Sequence, residues 1–295
     1  MERRYAGIST RPRTQHRAAW RLSGALVHLP GGPLVRLHEH VWGAEDAPPV
    51  VCLHGVNAHG LRFRPLAEER LAGRFRVRAL DLRGHGRSGS DPPWTIEAHL
   101  GDLRETVAEP ATWIGHSFGG RLVMELAARE PALVERAVLL DPAIAVPRDI
   151  AHARAMDELE ERSFASPAEA LEARIGGVGL GWLAHTPREL LEEEVREHLV
   201  ESPDGRFRYR YSSEAVAAAY HEMANDPPPF EALRIPTLLV VASHSKLVSA
   251  GELERYRAAL GDLLEVAVVP GGHIVLWDAL EETGAAIDSF LMLGR

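Results

Sequence analysis

Cysteine is almost missing. Cys52 is the only one in 295 residues, so no intrachain disulfide can form and a reducing compartment suits the chain. It stands in the apolar run PVVCLHG, the setting of a small buried residue rather than of a reactive thiol. Lysine is as scarce: Lys246 is the only one, and the rest of the 33 basic residues are arginine. Acidic residues number 42, giving a net charge of -9, which argues against general affinity for nucleic acid. No run approaches the ~20 apolar residues that a membrane span needs. The arginine-rich N-terminus has no long apolar core of the kind a secretory signal carries. These absences predict a soluble, cytoplasmic protein with neither nucleic acid nor membrane as partner. There is no internal repeat and no low-complexity tract.

What is present is enough hydrophobic residue, 45 %, to bury a large core. ALVHLP, PLVRLHEHVW, PPVVCLHG, RFRVRALDLRG, ATWIG, VERAVLLDP, IPTLLVVAS and LLEVAVVPGGH read as strands. TIEAHLGDLRETVAE carries Ile96, Leu100, Leu103 and Val107 on one helical face. Helical runs also follow ATWIG, separate the last two strands and close the chain. Alternating strands and helices predict an α/β fold with a mostly parallel central sheet and helices on both faces. In such sheets functional groups gather beyond the carboxyl ends of the strands.

The alternation stops between Pro142 and about Leu233, where the patterns are helical. Ser166, Thr186 and Ser212 or Ser213 are candidate N-caps, and Pro167 and Pro187 suit first helical turns. Residues 144–233 are expected to form a helical cap inserted in a core of residues 24–143 and 234–295, preceded by a basic arm at 1–23. Phe207, Tyr209 and Tyr211 alternate with Arg206, Arg208 and Arg210. The acidic surroundings favour a short amphipathic strand or turn over a nucleic-acid contact.

In WIGHSFGGRLV a serine stands between two glycines where a strand pattern becomes a helix pattern. At such a corner the backbones crowd, and Gly115 and Gly119 lack the Cβ that would clash. Ser117 at the apex is forced into a strained conformation with its side chain outward, the G-x-S-x-G elbow of a nucleophile. A plain Gly-Ser turn is the simpler alternative. A serine nucleophile needs a base and donors for the oxyanion. Of fifteen histidines, His273 in VVPGGHIVLWD has the right place, after the last strand and beside two glycines. His38 and His40 share one strand face and could bind a metal, although the sequence offers no third ligand.

With these segments in this order, the chain resembles the α/β-hydrolase fold superfamily, in its capped, esterase-like branch, over nearly everything after about residue 24. LHGVNAHG resembles the His-Gly loop after the third strand, DLRGHGRSG the turn after the fourth, GHSFGG the elbow and GGHIVLWD the histidine loop. The resemblance implies an oxyanion hole from the N–H groups of Val56 and Phe118. It makes His54, His85 and His116 structural rather than catalytic. It implies a serine hydrolase that needs no cofactor and cleaves an ester or related carbonyl bond of a small, mainly apolar substrate through an acyl-enzyme. Carbon–carbon bond hydrolysis, lactone opening and perhydrolysis are alternatives on the same site, and a non-catalytic binding protein is another.

The acid departs from the commonest pattern. Many relatives carry an aspartate after the strand that follows the cap, where this chain has Ser245 and no carboxylate between Thr237 and Ala250. Asp141, ending the preceding strand, is preferred; Glu252 or a serine–histidine dyad are the alternatives. The aromatic residues of the cap, Trp182 and Tyr211 foremost, are expected to wall the substrate pocket.

Overall fold

The computed structural model of the protein describes residues 32–160, 162–176, 183 and 185–292. The basic arm, the strand expected in ALVHLP and Trp182 lie outside the described residues.

In chain order the elements are β1 (His38–Trp42), β2 (Pro49–Leu53), the short α1 (Arg64–Leu66), β3 (Arg76–Asp81), α2 (Ile96–Thr106), β4 (Ala111–His116), α3 (Phe118–Arg129) and β5 (Val134–Leu140). There follow α4 (Arg148–Glu158), α5 (Pro167–Ile175), α6 (Arg188–His198), β6 (Leu199–Glu201), β7 (Phe207–Tyr209) and α7 (Ser213–Met223). The chain then runs through β8 (Thr237–Ala242), α8 (Ala250–Leu260), β9 (Leu264–Val269), α9 (Val275–Asp278) and α10 (Leu280–Met292).

Seven strands form one sheet in the order β1-β3-β2-β4-β5-β8-β9. Only β1 runs antiparallel, against β3; the other pairs are parallel. The period of two in a strand sorts its side chains onto two faces. Val51 and Leu53 of β2 pack with α2, α3 and α8 through residues such as Leu100, Leu122 and Tyr256. Val50 and Cys52 pack on the opposite face with Val275 of α9 and with Ile287 and Phe290 of α10. Covered on both faces, the central strands are continuous apolar runs. Cys52 is fully buried among them.

The first strand is shorter than its apolar pattern. Before His38 the chain is held by side chains instead of by a neighbouring strand: Val35 N donates to Asp102 Oδ1 (2.7 Å) and His38 N to Ser88 Oγ (2.8 Å). Asp102 is itself buried in an ion pair with Arg83 (2.7 Å).

Between β5 and β8 the described residues form the helices α4 to α7 and the β6–β7 hairpin. Ser166 and Ser212 cap α5 and α7 by accepting from Glu169 N and Ala215 N. Thr186 does not cap α6: Pro187 occupies the cap position, and the Thr186 hydroxyl donates to Asp278 Oδ1 (2.6 Å) instead. Phe207 and Tyr209 lie on the short strand β7.

Candidate active site

β4 ends at His116 and α3 begins at Phe118, so Ser117 alone makes the corner. Its φ of 55° and ψ of -117° are unfavourable for a residue with a side chain. Neighbouring structure holds it there. Ser117 N donates to Leu140 O (3.1 Å), and Ser117 O accepts from Ala143 N (3.1 Å). The flanking glycines are required sterically. A Cβ on Gly115 would stand 2.3 Å from Gly119 O, and one on Gly119 would stand 2.1 Å from Leu53 O.

Asp141 follows β5 and His273 follows β9, so both lie beyond carboxyl ends of strands. His273 Nδ1 and Asp141 Oδ2 are 2.6 Å apart, with Asp141 fully buried and His273 4 % exposed. A carboxylate oxygen accepts in this bond, so the geometry suits Nδ1 as its donor. The second oxygen, Oδ1, accepts from Ala242 N (3.3 Å). Among the described residues, the non-glycine residues with left-handed φ are Asn57 (57°), Ser117 (55°) and Asp141 (40°). Such strain concentrates where the surroundings over-determine a functional geometry.

Glu252, the alternative acid, is engaged elsewhere. Its Oε2 accepts from Ser249 N (2.8 Å) and Ser249 Oγ (2.7 Å) in the capping box that starts α8. Ser245 lies in the turn after β8, where its Oγ accepts from Leu247 N (3.2 Å).

The loop with Val56 packs against the serine: a Cβ on Gly55 would be 2.9 Å from Ser117 Cβ and 3.4 Å from Oγ. Phe118 is the first residue of α3, where the N–H has no intrahelical acceptor.

The three nearby histidines brace this frame. Leu82 N donates to His54 Nε2 (2.9 Å), so its Nδ1–H donates to Gly55 O (2.7 Å) and holds the Val56 loop. His85 Nδ1 bonds Arg83 O (3.0 Å) within its own turn. His116 Nε2 donates to His273 O (2.9 Å), with ring centroids 4.6 Å apart. Burial, followed by the neighbouring His273, pushes His116 well below the usual imidazole range. It remains a neutral brace for the backbone of His273. Nothing in the sequence pairs the residue before the serine with a loop 157 positions later.

A cavity of about 490 Å³ opens on Ser117, His273 and Val56. Tyr211 lines it, together with Phe164, Ile175, Leu183, Tyr209 and Tyr220. The Tyr209 and Tyr211 rings stack 4° from parallel at 5.8 Å, and burial raises the Tyr211 hydroxyl above the usual phenol range. Composition did not foretell the charge on the same wall: Arg62, Arg154, Arg162 and Arg174 line it beside Asp157 and Glu158. Asn57 Nδ2 donates to Glu158 Oε1 (2.7 Å), tying the Val56 loop to α4.

Among the described residues, two side-chain groups have metal-like spacing. Asp81 supplies the third member that His38 and His40 lacked in the sequence. Its carboxylate already bonds His40 Nε2 (3.2 Å), Gly60 N (2.7 Å) and Arg87 N (2.8 Å). His59, Glu194 and His198 form the other. There the imidazoles of His59 and His198 stack at 4.3 Å, and Arg62 and Arg174 occupy the Glu194 carboxylate. The carboxylates of both groups are thus held by protein donors, while both ring nitrogens of His198 are buried without a hydrogen-bond partner among the described residues.

The mostly parallel sheet, the strained serine corner and the histidine–aspartate pair together define an α/β hydrolase. A family model for the alpha/beta hydrolase fold matches residues 48–280, and the chain belongs to that family. Among its relatives, the lipase LipV of Mycobacterium tuberculosis is 32 % identical over 265 residues, covering 88 % of this chain and 98 % of that one. The 2-(acetamidomethylene)succinate hydrolase of Mesorhizobium japonicum is 32 % identical over 262 residues, covering 83 % and 88 %. A solved structure of E-2-(acetamidomethylene)succinate hydrolase superposes with a TM-score of 0.76 at 27 % identity, covering 87 % of this chain and 95 % of that one. These relatives support hydrolase activity. No helix among the described residues is long and apolar enough to cross a membrane.

Proposed function

We propose that the chain is a serine hydrolase that cleaves an ester or related carbonyl bond of a small, mainly apolar organic substrate through an acyl-enzyme. The observation that carries this reading is the buried 2.6 Å pair of His273 Nδ1 and Asp141 Oδ2, on the cavity that Ser117 lines. Asp141 fixes the tautomer of His273 and stabilises its imidazolium. His273 Nε2 takes the proton of Ser117 Oγ as the oxygen attacks the carbonyl carbon. The tetrahedral oxyanion is held by the N–H groups of Val56 and Phe118. The imidazolium returns the proton to the leaving alcohol. Water, activated by the same nitrogen, then releases the acid and regenerates Ser117. Each step uses side chains and backbone alone, without a cofactor.

The test is labelling with a fluorophosphonate, followed by peptide mapping, alongside hydrolysis of a p-nitrophenyl ester. The expected adduct is on Ser117, and Ser117→Ala is expected to abolish both labelling and turnover. An active protein labelled elsewhere, or one in which Ser117→Ala retains turnover, refutes the assignment.

A further inference from the structure

Among the described residues, the charges at the cavity wall do not balance. Arg62, in the turn after the Val56 loop, and Arg174 of α5 both donate to the single carboxylate of Glu194 on α6, Arg62 to Oε1 and Arg174 to Oε2 (3.1 Å). Arg62 is 4 % exposed and Glu194 3 %, so the cluster keeps one positive charge largely away from water. Its other neighbours include the aromatic faces of Trp277 for Arg62 (4.9 Å) and Tyr209 for Arg174 (5.2 Å), the imidazoles of His59 and His198 beside Glu194, and Asp278, whose charge acts on Arg62. The Nε atoms of both arginines are buried without an acceptor among the described residues. Arg162 is paired with Asp157 (2.7 Å). Arg154 faces Glu158 across one turn of α4 and makes no ion pair or hydrogen bond among the described residues. Among the described residues the lining therefore sets Arg62, Arg154, Arg162 and Arg174 against Asp157 and Glu158, with Glu194 behind it against Arg62 and Arg174, an excess of one positive charge over these seven in a chain whose net charge is -9.

We infer that this wall is an anion subsite that takes a carboxylate carried on the acyl part of the substrate. The inference rests on the hydrolase reading for the position of the reacting carbonyl. An excess of one charge matches a carboxylate rather than a doubly charged phosphate. Guanidinium groups present planar forks that suit carboxylate oxygens. Position sets the spacing. Arg174 Nη2 reaches Asn57 O (3.4 Å), one residue beyond Val56, so the charge lies beside the loop assigned to the oxyanion. The acyl chain between the two carbonyl carbons is then short, as in the monoester of a small dicarboxylic acid. The stacked Tyr209 and Tyr211 cover the apolar stretch between them.

The experiment compares monomethyl glutarate with its neutral isostere, methyl 5-methylhexanoate, by kcat/KM and by calorimetric binding to Ser117→Ala. The expected result is at least a tenfold preference for the monoanion in both measurements. Arg174→Met is expected to bring the ratio close to one, and Arg154→Met to lower it. Equal or better use of the neutral ester by the unaltered protein overturns the subsite while leaving the hydrolase reading standing. A binding preference without turnover of either ester supports the subsite and counts against the hydrolase reading. If Arg174→Met does not fold, the ratio in the unaltered protein and in Arg154→Met decides. A ratio unchanged in both variants, with native circular dichroism, overturns the role of the arginines.

Discussion

Replacing Asp141 by asparagine tests the buried pair with almost no change of volume. The structure dictates how the amide must sit. Ala242 N donates to Oδ1 of Asp141 (3.3 Å), so the amide oxygen of the substituted side chain would have to face Ala242 and its NH₂ group would have to face His273. The opposite orientation would oppose two donors at Ala242. With an amide donor 2.6 Å from Nδ1, His273 must accept there and carry its proton on Nε2. That nitrogen can no longer take the proton of Ser117. The loss of an orienting aspartate in a serine triad costs about 10⁴ in turnover, which is about 5 kcal/mol of barrier. Asp141→Asn is therefore expected to lose ester turnover by roughly 10³–10⁴ while keeping its circular dichroism spectrum and substrate affinity. Glu252→Gln is the control. Glu252 serves the α8 capping box, so its loss costs about 1 kcal/mol of stability and leaves turnover within a factor of two or so. Full activity in Asp141→Asn, or an inactive folded Glu252→Gln, refutes the assignment.

Ser117→Gly removes the nucleophile and also relieves the strain at φ 55°. About 1–3 kcal/mol of strain is released, against roughly 0.5–1 kcal/mol for the freer unfolded chain. The inactive variant should melt a few degrees higher, and a lower Tm would count against strain at the elbow. Gly119→Ala should fail to fold or lose all activity, because its Cβ would meet the backbone of Leu53 at 2.1 Å; wild-type turnover and Tm would show that the corner can relax. Glu194 gives a pH signature. Burial alone would raise its carboxyl, but the charges of Arg174 and Arg62 outweigh burial and hold it at about 2 instead of 4.5. A depressed carboxyl contributes stability that is fully present above about 4.5 and lost as pH falls through about 2, on the order of 3 kcal/mol. Urea midpoints of Glu194→Gln should be lower at neutral pH and flatter across that acid range than those of the unaltered protein; parallel curves would show that the pair does not contribute.

Sequence alone determined the sheet, the elbow and the histidine loop, because each depends on residues adjacent in the chain. Apolar runs of strand length specify buried parallel strands whatever their neighbours. The glycines around Ser117 are legible because the crowding they relieve is local. The departures have the same logic in reverse. PLVRLHEHVW reads as one long strand, yet the carboxylate of Asp102, 67 residues away, holds Val35 instead. The choice between Asp141 and Glu252 needed the fold, because a side chain 132 residues from His273 becomes its partner only when β5 and β9 end on the same edge of the sheet. The capping box that occupies Glu252 is a local pattern, Ser249 followed three residues later by an acid, and could have been read as such. The excess arginine charge was hidden for a different reason. Arg62 and Glu194 come from segments 132 residues apart, and composition averages over them. Charges act through distance in space, and only the folded chain decides which guanidinium finds a carboxylate and which is left facing the cavity.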